Sequence, residues 1–422
     1  MSVTAKASSG ANGIRPFTIK TPDSELDDLH RRLAETRWPQ KELVPDSSQG
    51  VQLATIQELT RYWASEHDWR KAEAKLNALP QFKTEIDGVD IHFIHVKSPH
   101  ENALPLIITH GWPGSVIEML DIIGPLTDPT AHGGDRADAF HLVLPSLPGF
   151  GYSGQPTELG WNPDRVARAW GELMKRLGYK RYVAQGGDVG ANVTDSMGRL
   201  APDGLIGIHL NYLASYPLEV LAAVFGTGAA PAGLIKRVGV AALAARAEKK
   251  QPVALDALAA LWKRGYIVEM PEHPQTIGYA LTDTPVGLAS WMLDHDADSY
   301  EKISHLFLDK QPAGNLTRDG IIDDITLYWL TNTATSSARM YWETGRALIA
   351  ATSGGQKPRE LKLPVAFTVF PSEIFQAPRS WAEKVYPNLI YFNEVGRGGH
   401  FAAWEEPELF ASEVRAAFRS LR

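Results

Sequence analysis

Between residues 82 and 214, runs of consecutive apolar residues take turns with segments in which apolar positions recur at helical spacing. The apolar runs have the length of strands and occupy 104–109, 140–145, 181–185 and 205–210. The segments 116–126 and 163–177 between them carry the helical pattern. Short apolar strands that alternate with helices predict a mostly parallel sheet covered by helices on both faces. This part of the chain is therefore predicted to have an α/β fold.

The chain before this core has a different pattern of apolar and polar residues. Residues 1–15 are polar and rich in small side chains, which predicts a disordered arm. Residues 16–81 contain two amphipathic helical stretches and no obvious catalytic grouping. We therefore expect 16–81 to form an N-terminal extension that packs on the core.

After the core, the strand pattern fades and later returns. Residues 215–350 are rich in Ala and Leu at helical spacing, and strand-like runs reappear at 363–370 and 389–392. A helical insert between two parts of one sheet is the arrangement expected of a lid. We predict that 82–214 and 351–422 are the two parts of the core and that 215–350 is the lid.

The pentapeptide Gly186-Gly187-Asp188-Val189-Gly190 lies between a strand-like run and a segment that can begin a helix. This context is typical of the nucleophile elbow of α/β-hydrolases, in which the central residue is usually Ser or Cys. An ordinary glycine-rich turn with Asp188 as a helix cap fits the same residues. The pentapeptide alone leaves both interpretations open.

A nucleophile also needs a base, an acid that orients the base, and N–H donors for the developing charge. Hydrolases of this fold present the three side chains in the order nucleophile, acid, histidine. His400 follows the last predicted strand on a Gly-Gly turn, and Glu373 lies at the carboxyl end of the strand 363–370, with Glu394 as the alternative acid. The candidate oxyanion donors are the backbone N–H groups of Trp112 and Val189.

The choice of Asp as nucleophile restricts the substrate. A serine that attacks a saturated carbon gives an ether, which is a dead end, whereas a carboxylate gives an ester that water can hydrolyse. Asp188 therefore favours an epoxide or an alkyl halide over an ester or a peptide. An opened epoxide leaves an alkoxide that needs a proton donor such as a tyrosine hydroxyl, and a departing halide does not.

Four motifs occur in order along the chain: His110-Gly111-Trp112-Pro113-Gly114-Ser115, Gln185-Gly186-Gly187-Asp188, Leu281-Thr282-Asp283-Thr284-Pro285-Val286-Gly287-Leu288-Ala289, and Gly398-Gly399-His400-Phe401-Ala402-Ala403. With them, the chain resembles the microsomal-type epoxide hydrolases over about residues 14–420, including their N-terminal extension. The resemblance implies an α/β-hydrolase fold with Asp188 as nucleophile, His400 as base and Glu373 as orienting acid.

The resemblance also implies two tyrosines in the lid that donate to the alkoxide. Tyr341 matches one of them, and Tyr266 matches the other, with Tyr279 as an alternative. We expect Trp112 and Phe150 to contact the substrate.

The chain departs from the family at two places. Val189 follows the nucleophile where the family usually has Trp, so we expect activity to persist in a wider pocket. Mammalian members carry an N-terminal membrane anchor, whereas this chain shows neither a signal peptide nor a run of about 18 apolar residues. We therefore expect a soluble, cytoplasmic enzyme that does not associate with a membrane.

Composition excludes several kinds of chemistry. The chain has no cysteine, so it has no thiol nucleophile, disulfide or thiolate metal site. Its net charge of −7 and its lack of a basic stripe exclude a nucleic-acid partner. Asp294, Asp296 and Asp298 have the spacing that opens a calcium loop, but Ser299 and His305 replace the required Gly and Glu. We expect no cofactor and no metal.

The sequence therefore predicts an epoxide hydrolase that forms vicinal diols through an ester on the nucleophile and a histidine-activated water. A haloalkane or haloacid dehalogenase with the same triad is the alternative enzyme, and the tyrosine pair counts against it. A non-catalytic ligand-binding protein is the alternative of another class. The predicted partners are an epoxide and water, and family analogy suggests a homodimer.

Overall fold

One nine-stranded sheet organises the computed structural model, which describes residues 13–225, 252–353 and 359–422. The strands are β1 (Arg15–Pro16), β2 (Gln81–Ile86), β3 (Val89–Val96), β4 (Leu104–Thr109), β5 (Phe140–Pro145), β6 (Tyr182–Gly186), β7 (Leu205–Leu210), β8 (Val365–Val369) and β9 (Leu389–Glu394). Their order across the sheet is β1-β2-β3-β5-β4-β6-β7-β8-β9. The six strands from β5 to β9 in this order run parallel, and β1, β2 and β3 form an antiparallel edge. The prediction of a mostly parallel sheet is confirmed.

Helices fall into four groups along the chain. The N-terminal extension has α1 (Asp23–Ala34), α2 (Leu53–Ser65) and α3 (Trp69–Asn77), and the first part of the core has α4 (Ile123–Thr127), α5 (Pro163–Arg176) and α6 (Asp188–Leu200). The predicted lid contains α7 (Leu218–Phe225), α8 (Pro252–Leu261), α9 (Gly265–Glu272), α10 (Pro274–Asp283), α11 (Pro285–Leu293), α12 (Ala297–Leu308), α13 (Arg318–Thr331) and α14 (Ala334–Ser353). The last part has α15 (Arg379–Val385), α16 (Ala402–Glu405) and α17 (Pro407–Phe418). Short 3₁₀ segments lie at Ser47–Gln49, Val116–Ile122, Pro129–His132, Arg136–Asp138 and Arg419–Leu421.

Both faces of the sheet are covered, as the apolar runs predict. In β5 the consecutive residues Leu142, Val143 and Leu144 are all buried, and they alternate between two apolar clusters. One cluster includes Trp170 of α5, and the other includes Phe410 of α17. Alternate side chains of a strand point to opposite faces, so each face has its own core.

The N-terminal extension contacts the lid as well as the core. The Thr55 and Ser304 hydroxyls are 2.8 Å apart, and the backbone N–H of Gln52 donates to the Tyr300 hydroxyl at 2.9 Å. These bonds join α2 to α12 of the lid. The extension therefore holds part of the lid in place.

The predicted arm and the predicted lid differ in how far the described residues cover them. The predicted arm 1–15 extends too far, because Arg15 already pairs with Lys83 of β2 and forms an ion pair with Asp90. Residues 1–12 and 226–251 lie outside the described residues, so the rest of the arm and the middle of the predicted lid stay predictions.

Candidate active site

The glycine-rich pentapeptide forms a sharp turn between β6 and α6. Asp188 is the first residue of α6 and has a φ of 48°, in the left-handed region that costs a non-glycine residue about 1–3 kcal/mol. A Cβ atom on Gly186 would lie 2.2 Å from the carbonyl oxygen of Gly190, and one on Gly190 would lie 2.0 Å from that of Thr109. Only glycine fits at these two positions. The helix cap is Gly187, which argues against the interpretation of Asp188 as an ordinary cap.

Asp188, His400 and Glu373 meet at the carboxyl ends of the parallel strands. His400 Nδ1 lies 2.5 Å from Glu373 Oε1, and His400 Nε2 lies 3.5 Å from Asp188 Oδ2. His400 and Glu373 are buried, and the Asp188 side chain is 17% exposed. Glu394, the other candidate acid, is exposed at the end of β9. Glu373 is therefore the acid that the fold brings to His400.

The charges of the three groups depend on one another. Burial alone would lower the pKa of His400, but the neighbouring Glu373 and Asp188 carboxylates raise it well above its usual value. Burial alone would raise the pKa of Asp188, but its contact with His400 lowers it below the usual value. The arrangement thus favours a protonated His400 beside an ionised Asp188.

A backbone N–H group contacts the other oxygen of the Asp188 carboxylate. The N–H of Trp112, in the loop after β4, donates to Asp188 Oδ1 at 2.8 Å. Val189 follows Asp188 in the first turn of α6, where backbone N–H groups have no partner within the helix. Its side chain is 5% exposed and belongs to the apolar core. The two carboxylate oxygens therefore face different groups, Oδ1 the Trp112 amide and Oδ2 the imidazole of His400.

Aromatic side chains from the lid close the site above Asp188. The ring of Tyr266, on α9, lies 5.2 Å from that of Trp112, and the ring of Tyr341, on α14, lies 6.0 Å from both. Burial and the charge of Asp188 raise the pKa of both tyrosines well above the usual value. Tyr279 is 72% exposed on α10 and does not belong to this group.

A small cavity of about 20 Å³ lies beside Asp188 and His400. Glu118 also lines it and is buried, and no described residue forms a hydrogen bond with its Oε2 atom. Burial is the main cause that raises the pKa of Glu118 well above its usual value, which favours the neutral form of its carboxyl group. A cavity needs about 10–15 Å³ to hold a water, so this one has room for one.

Comparison with known proteins places the chain in a family. A family model described as epoxide hydrolase N terminus matches residues 14–119. A protein of Stigmatella aurantiaca named "Putative epoxide hydrolase" is 50% identical over 411 residues, which are 97% of this chain and 86% of that protein. Epoxide hydrolase 1 of Sus scrofa is 36% identical over 95% of this chain and 88% of its own length. The chain belongs to the epoxide hydrolase family.

The solved structures agree with this assignment. The juvenile hormone epoxide hydrolase of the silkworm Bombyx mori superposes with a TM-score of 0.80 at 28% identity, over 97% of this chain and 95% of the other. The predicted α/β-hydrolase fold is confirmed, and the protein is an enzyme that hydrolyses epoxides. Its described residues contain no helix long and apolar enough to cross a membrane. The predicted homodimer and cytoplasmic location stay predictions.

The epoxide hydrolase has two further polar residues at the site that sequence reasoning missed. Glu118 is the one charged residue in the apolar run 116–120, and that contrast is the signal that could have found it. His295 follows the third motif and lies between Asp294 and Asp296. The spacing of these two aspartates resembles the start of a calcium loop and gives no sign that the histidine belongs to the site. The ring of His295 lies 4.6 Å from that of His400.

Phe150 and one large cavity are not part of the group of side chains described above. Phe150 is fully buried and packs against His110 and Tyr328, so its contact with substrate stays a prediction. A cavity of about 1100 Å³ lies between the segment 37–43 and the start of α11, and none of the candidate site residues lines it.

Proposed function

We propose that the enzyme opens its epoxide in two steps, through an ester on Asp188. In the first step Asp188 Oδ2 attacks a ring carbon, the C–O bond of the ring breaks, and an alkoxide forms. Asp188 Oδ1 stays on the N–H of Trp112 at 2.8 Å and becomes the carbonyl oxygen of the ester.

The alkoxide takes its proton from the lid. Tyr341 and Tyr266 stand over the carboxylate, and their raised pKa values keep both hydroxyls neutral and able to donate. Ester formation removes the charge of Asp188, which is one of the groups that raise the pKa of His400. His400 then releases its proton to the solvent, and the tyrosine that has donated regains a proton from the solvent. The alkoxide oxygen therefore gains one proton, the imidazole loses one, and both tyrosines are neutral again.

In the second step the neutral His400 accepts a proton from water, and the hydroxide attacks the carbonyl carbon of the ester. Glu373, at 2.5 Å, stabilises the imidazolium that forms again. The N–H groups of Trp112 and Val189 hold the oxyanion, and a donor of this kind contributes about 3–4 kcal/mol. The ester C–O bond breaks, the diol leaves, and Asp188 and His400 regain their starting charges.

The cavity beside Glu118 is the place that we propose for this water. It lies next to both Asp188 and His400, and a neutral Glu118 can donate one hydrogen bond to a water oxygen. The water would then have Glu118 and His400 as its partners on opposite sides. Glu118 is thus a positioning residue for the second step.

One observation carries the proposal: a single carboxylate contacts a backbone donor through one oxygen and a Glu-paired histidine through the other. The two tyrosines above it favour epoxide opening over the departure of a halide, which needs no proton.

A single turnover in ¹⁸O-labelled water tests the ester. With enzyme in excess, the first diol must carry unlabelled oxygen from Asp188, and the label must appear in the peptide that contains Asp188. Both products can be followed by mass spectrometry. Label in the first diol would mean that water attacks the epoxide directly, and the ester would be excluded.

A further inference from the structure

His295 is buried at the centre of the site, and the two-step mechanism does not use it. The residue lies in the turn between α11 and α12 and is 1% exposed. Its ring stacks on that of Tyr266 at 4.7 Å and lies 4.6 Å from that of His400. A second imidazole therefore stands directly over the proposed nucleophile and base.

A carboxylate fixes the tautomer of His295. Its Nδ1 atom lies 3.0 Å from Asp296 Oδ2, and Asp296 Oδ1 accepts the N–H of Ser299 at 2.8 Å as the cap of α12. Both Asp296 oxygens thus face N–H groups and act as acceptors, so the proton of His295 is on Nδ1 and the lone pair is on Nε2. No described residue forms a hydrogen bond with this Nε2 atom.

The second histidine of the site has the same arrangement. His400 Nδ1 contacts Glu373 at 2.5 Å, which leaves its Nε2 atom directed at Asp188. Histidines that bind metal ions almost always donate their other N–H to a carboxylate, a carbonyl or water in this way. His295 and His400 are therefore both oriented as metal ligands are.

The distances fit a transition-metal ion. One ring nitrogen from each histidine and one carboxylate oxygen of Asp188 all lie within 4.8 Å of one another. Two ligands bound to zinc at about 2.0–2.1 Å with a tetrahedral angle are about 3.3 Å apart, and His400 Nε2 already lies 3.5 Å from Asp188 Oδ2. A shift of the His295 side chain by up to about 1.5 Å, from within 4.8 Å to about 3.3 Å of the other two ligand atoms, completes the set.

We propose that Asp188, His295 and His400 bind one divalent transition-metal ion of the zinc class and that this ion inhibits the enzyme. Two imidazoles and one carboxylate suit zinc, cobalt, nickel or copper, whereas magnesium and calcium prefer oxygen ligands. The ion takes the place of the proton between His400 and Asp188, so the carboxylate cannot attack and the imidazole cannot accept a proton. The inhibition, though not the binding, rests on the roles proposed above for Asp188 and His400.

Binding is measured without substrate. Co²⁺ is titrated into the full-length enzyme and followed by its visible absorption, and Zn²⁺ is titrated by calorimetry. We expect one ion per chain at this site. His295→Phe keeps the stacked ring but removes both nitrogens, and we expect its affinity to fall at least tenfold. Asp296→Asn keeps His295 and loosens its orientation, for which we expect a loss of about 10- to 100-fold.

The matched control is His305→Gln. His305 is an exposed histidine of α12 whose Nδ1 atom lies 2.6 Å from Asp309, so it offers a histidine–carboxylate pair away from the site. This control should bind Co²⁺ and Zn²⁺ as the wild type does. Equal binding by His295→Phe and the wild type, or no binding by the wild type, would overturn the proposal.

Inhibition is measured on epoxide hydrolysis as the ratio to each variant's own metal-free rate. Zn²⁺ should inhibit the wild type and the His305→Gln control, and a chelator should restore the rate, whereas Mg²⁺ at the same concentration should have no effect. Equal inhibition of His295→Phe would place the ion elsewhere. Failure of Co²⁺ binding would leave the ester mechanism untouched, because the labelling experiment that tests the ester uses no metal.

Discussion

The hydroxyl oxygen of Tyr341 is buried in the lid, and none of the described residues forms a hydrogen bond with it. The proposed mechanism gives this hydroxyl its partner only when the epoxide ring opens. Tyr341→Phe removes this one oxygen and leaves the ring that packs against Trp112 and Tyr266. The substitution therefore separates the contribution of the hydroxyl to stability from its contribution to catalysis.

The two contributions have opposite signs. A buried polar group without a partner costs about 1–3 kcal/mol, so the free energy of unfolding of Tyr341→Phe should stay unchanged or rise by about 1 kcal/mol. A donor to developing negative charge lowers the activation barrier by about 3–4 kcal/mol, and its loss slows the reaction by a factor of about 10²–10³. Because Tyr266 can still donate, we expect ester formation to slow about 10²-fold.

Rapid mixing with an epoxide and mass spectrometry of the quenched protein measure ester formation, and urea denaturation measures stability. Tyr182→Phe is the matched control. Tyr182 is fully buried, and its hydroxyl likewise has no partner among the described residues. It lies at the other end of β6, about 13 Å from the elbow. This control should show the same small change in stability and a normal rate.

Two results would refute the reasoning. A normal rate of ester formation in Tyr341→Phe would remove Tyr341 as a proton donor to the alkoxide. A loss of activity shared by Tyr341→Phe and Tyr182→Phe would show that the loss comes from a change in the fold and not from the missing proton donor.

Three further predictions concern other parts of the site. His400→Gln should slow ester hydrolysis at least 10²-fold, so that mass spectrometry detects alkylated Asp188, and a variant that turns over normally would exclude His400 as base. Gly190→Ala drives a Cβ to 2.0 Å from a backbone oxygen and should destabilise the fold by at least about 1–3 kcal/mol in urea denaturation. Gly396→Ala, with no atom within 4 Å, is its control, and equal stability of both would contradict the argument. Burial raises the pKa of Asp324 to about 8, so the native state holds a proton that the unfolded chain releases, and wild-type stability should fall between about pH 4 and pH 8. Asp324→Asn should reduce this fall in stability by up to about 5 kcal/mol. If urea denaturation gives a pH profile parallel to that of the wild type, Asp324 is excluded as its cause.

The core of the site could be predicted from the sequence because its groups sit at the ends of strands. Asp188, Glu373 and His400 each follow an apolar run, and the carboxyl ends of parallel strands meet at one edge of the sheet. Chain order and strand position therefore limit the candidates before any contact is known. The choice between Glu373 and Glu394 still needed the structure, since both follow a strand.

The positions of side chains in the lid were less predictable, because no strand order fixes where the lid helices lie relative to the sheet. Tyr266 and Tyr279 both lie on helices near the third motif, and only the packing of those helices turns one inward and leaves the other exposed. Glu118 and His295 escaped notice for a related reason. Their roles depend on neighbours that are distant in sequence, and no spacing within their own segments reports these neighbours.

The groups that the two steps require come from different parts of the molecule. Asp188 lies at the start of α6, and His400 and the Trp112 N–H lie in loops at the same edge of the sheet, whereas Tyr266 and Tyr341 lie on α9 and α14 of the lid. In the proposed mechanism, ester formation needs both sets, because the alkoxide receives its proton from the lid. Ester hydrolysis in that mechanism needs only the first set, because the proposed water, base and oxyanion donors all belong to the core. A substitution that shifts the lid should therefore slow the first step and leave the second unchanged, and the two rates measured in one single turnover separate lid effects from core effects.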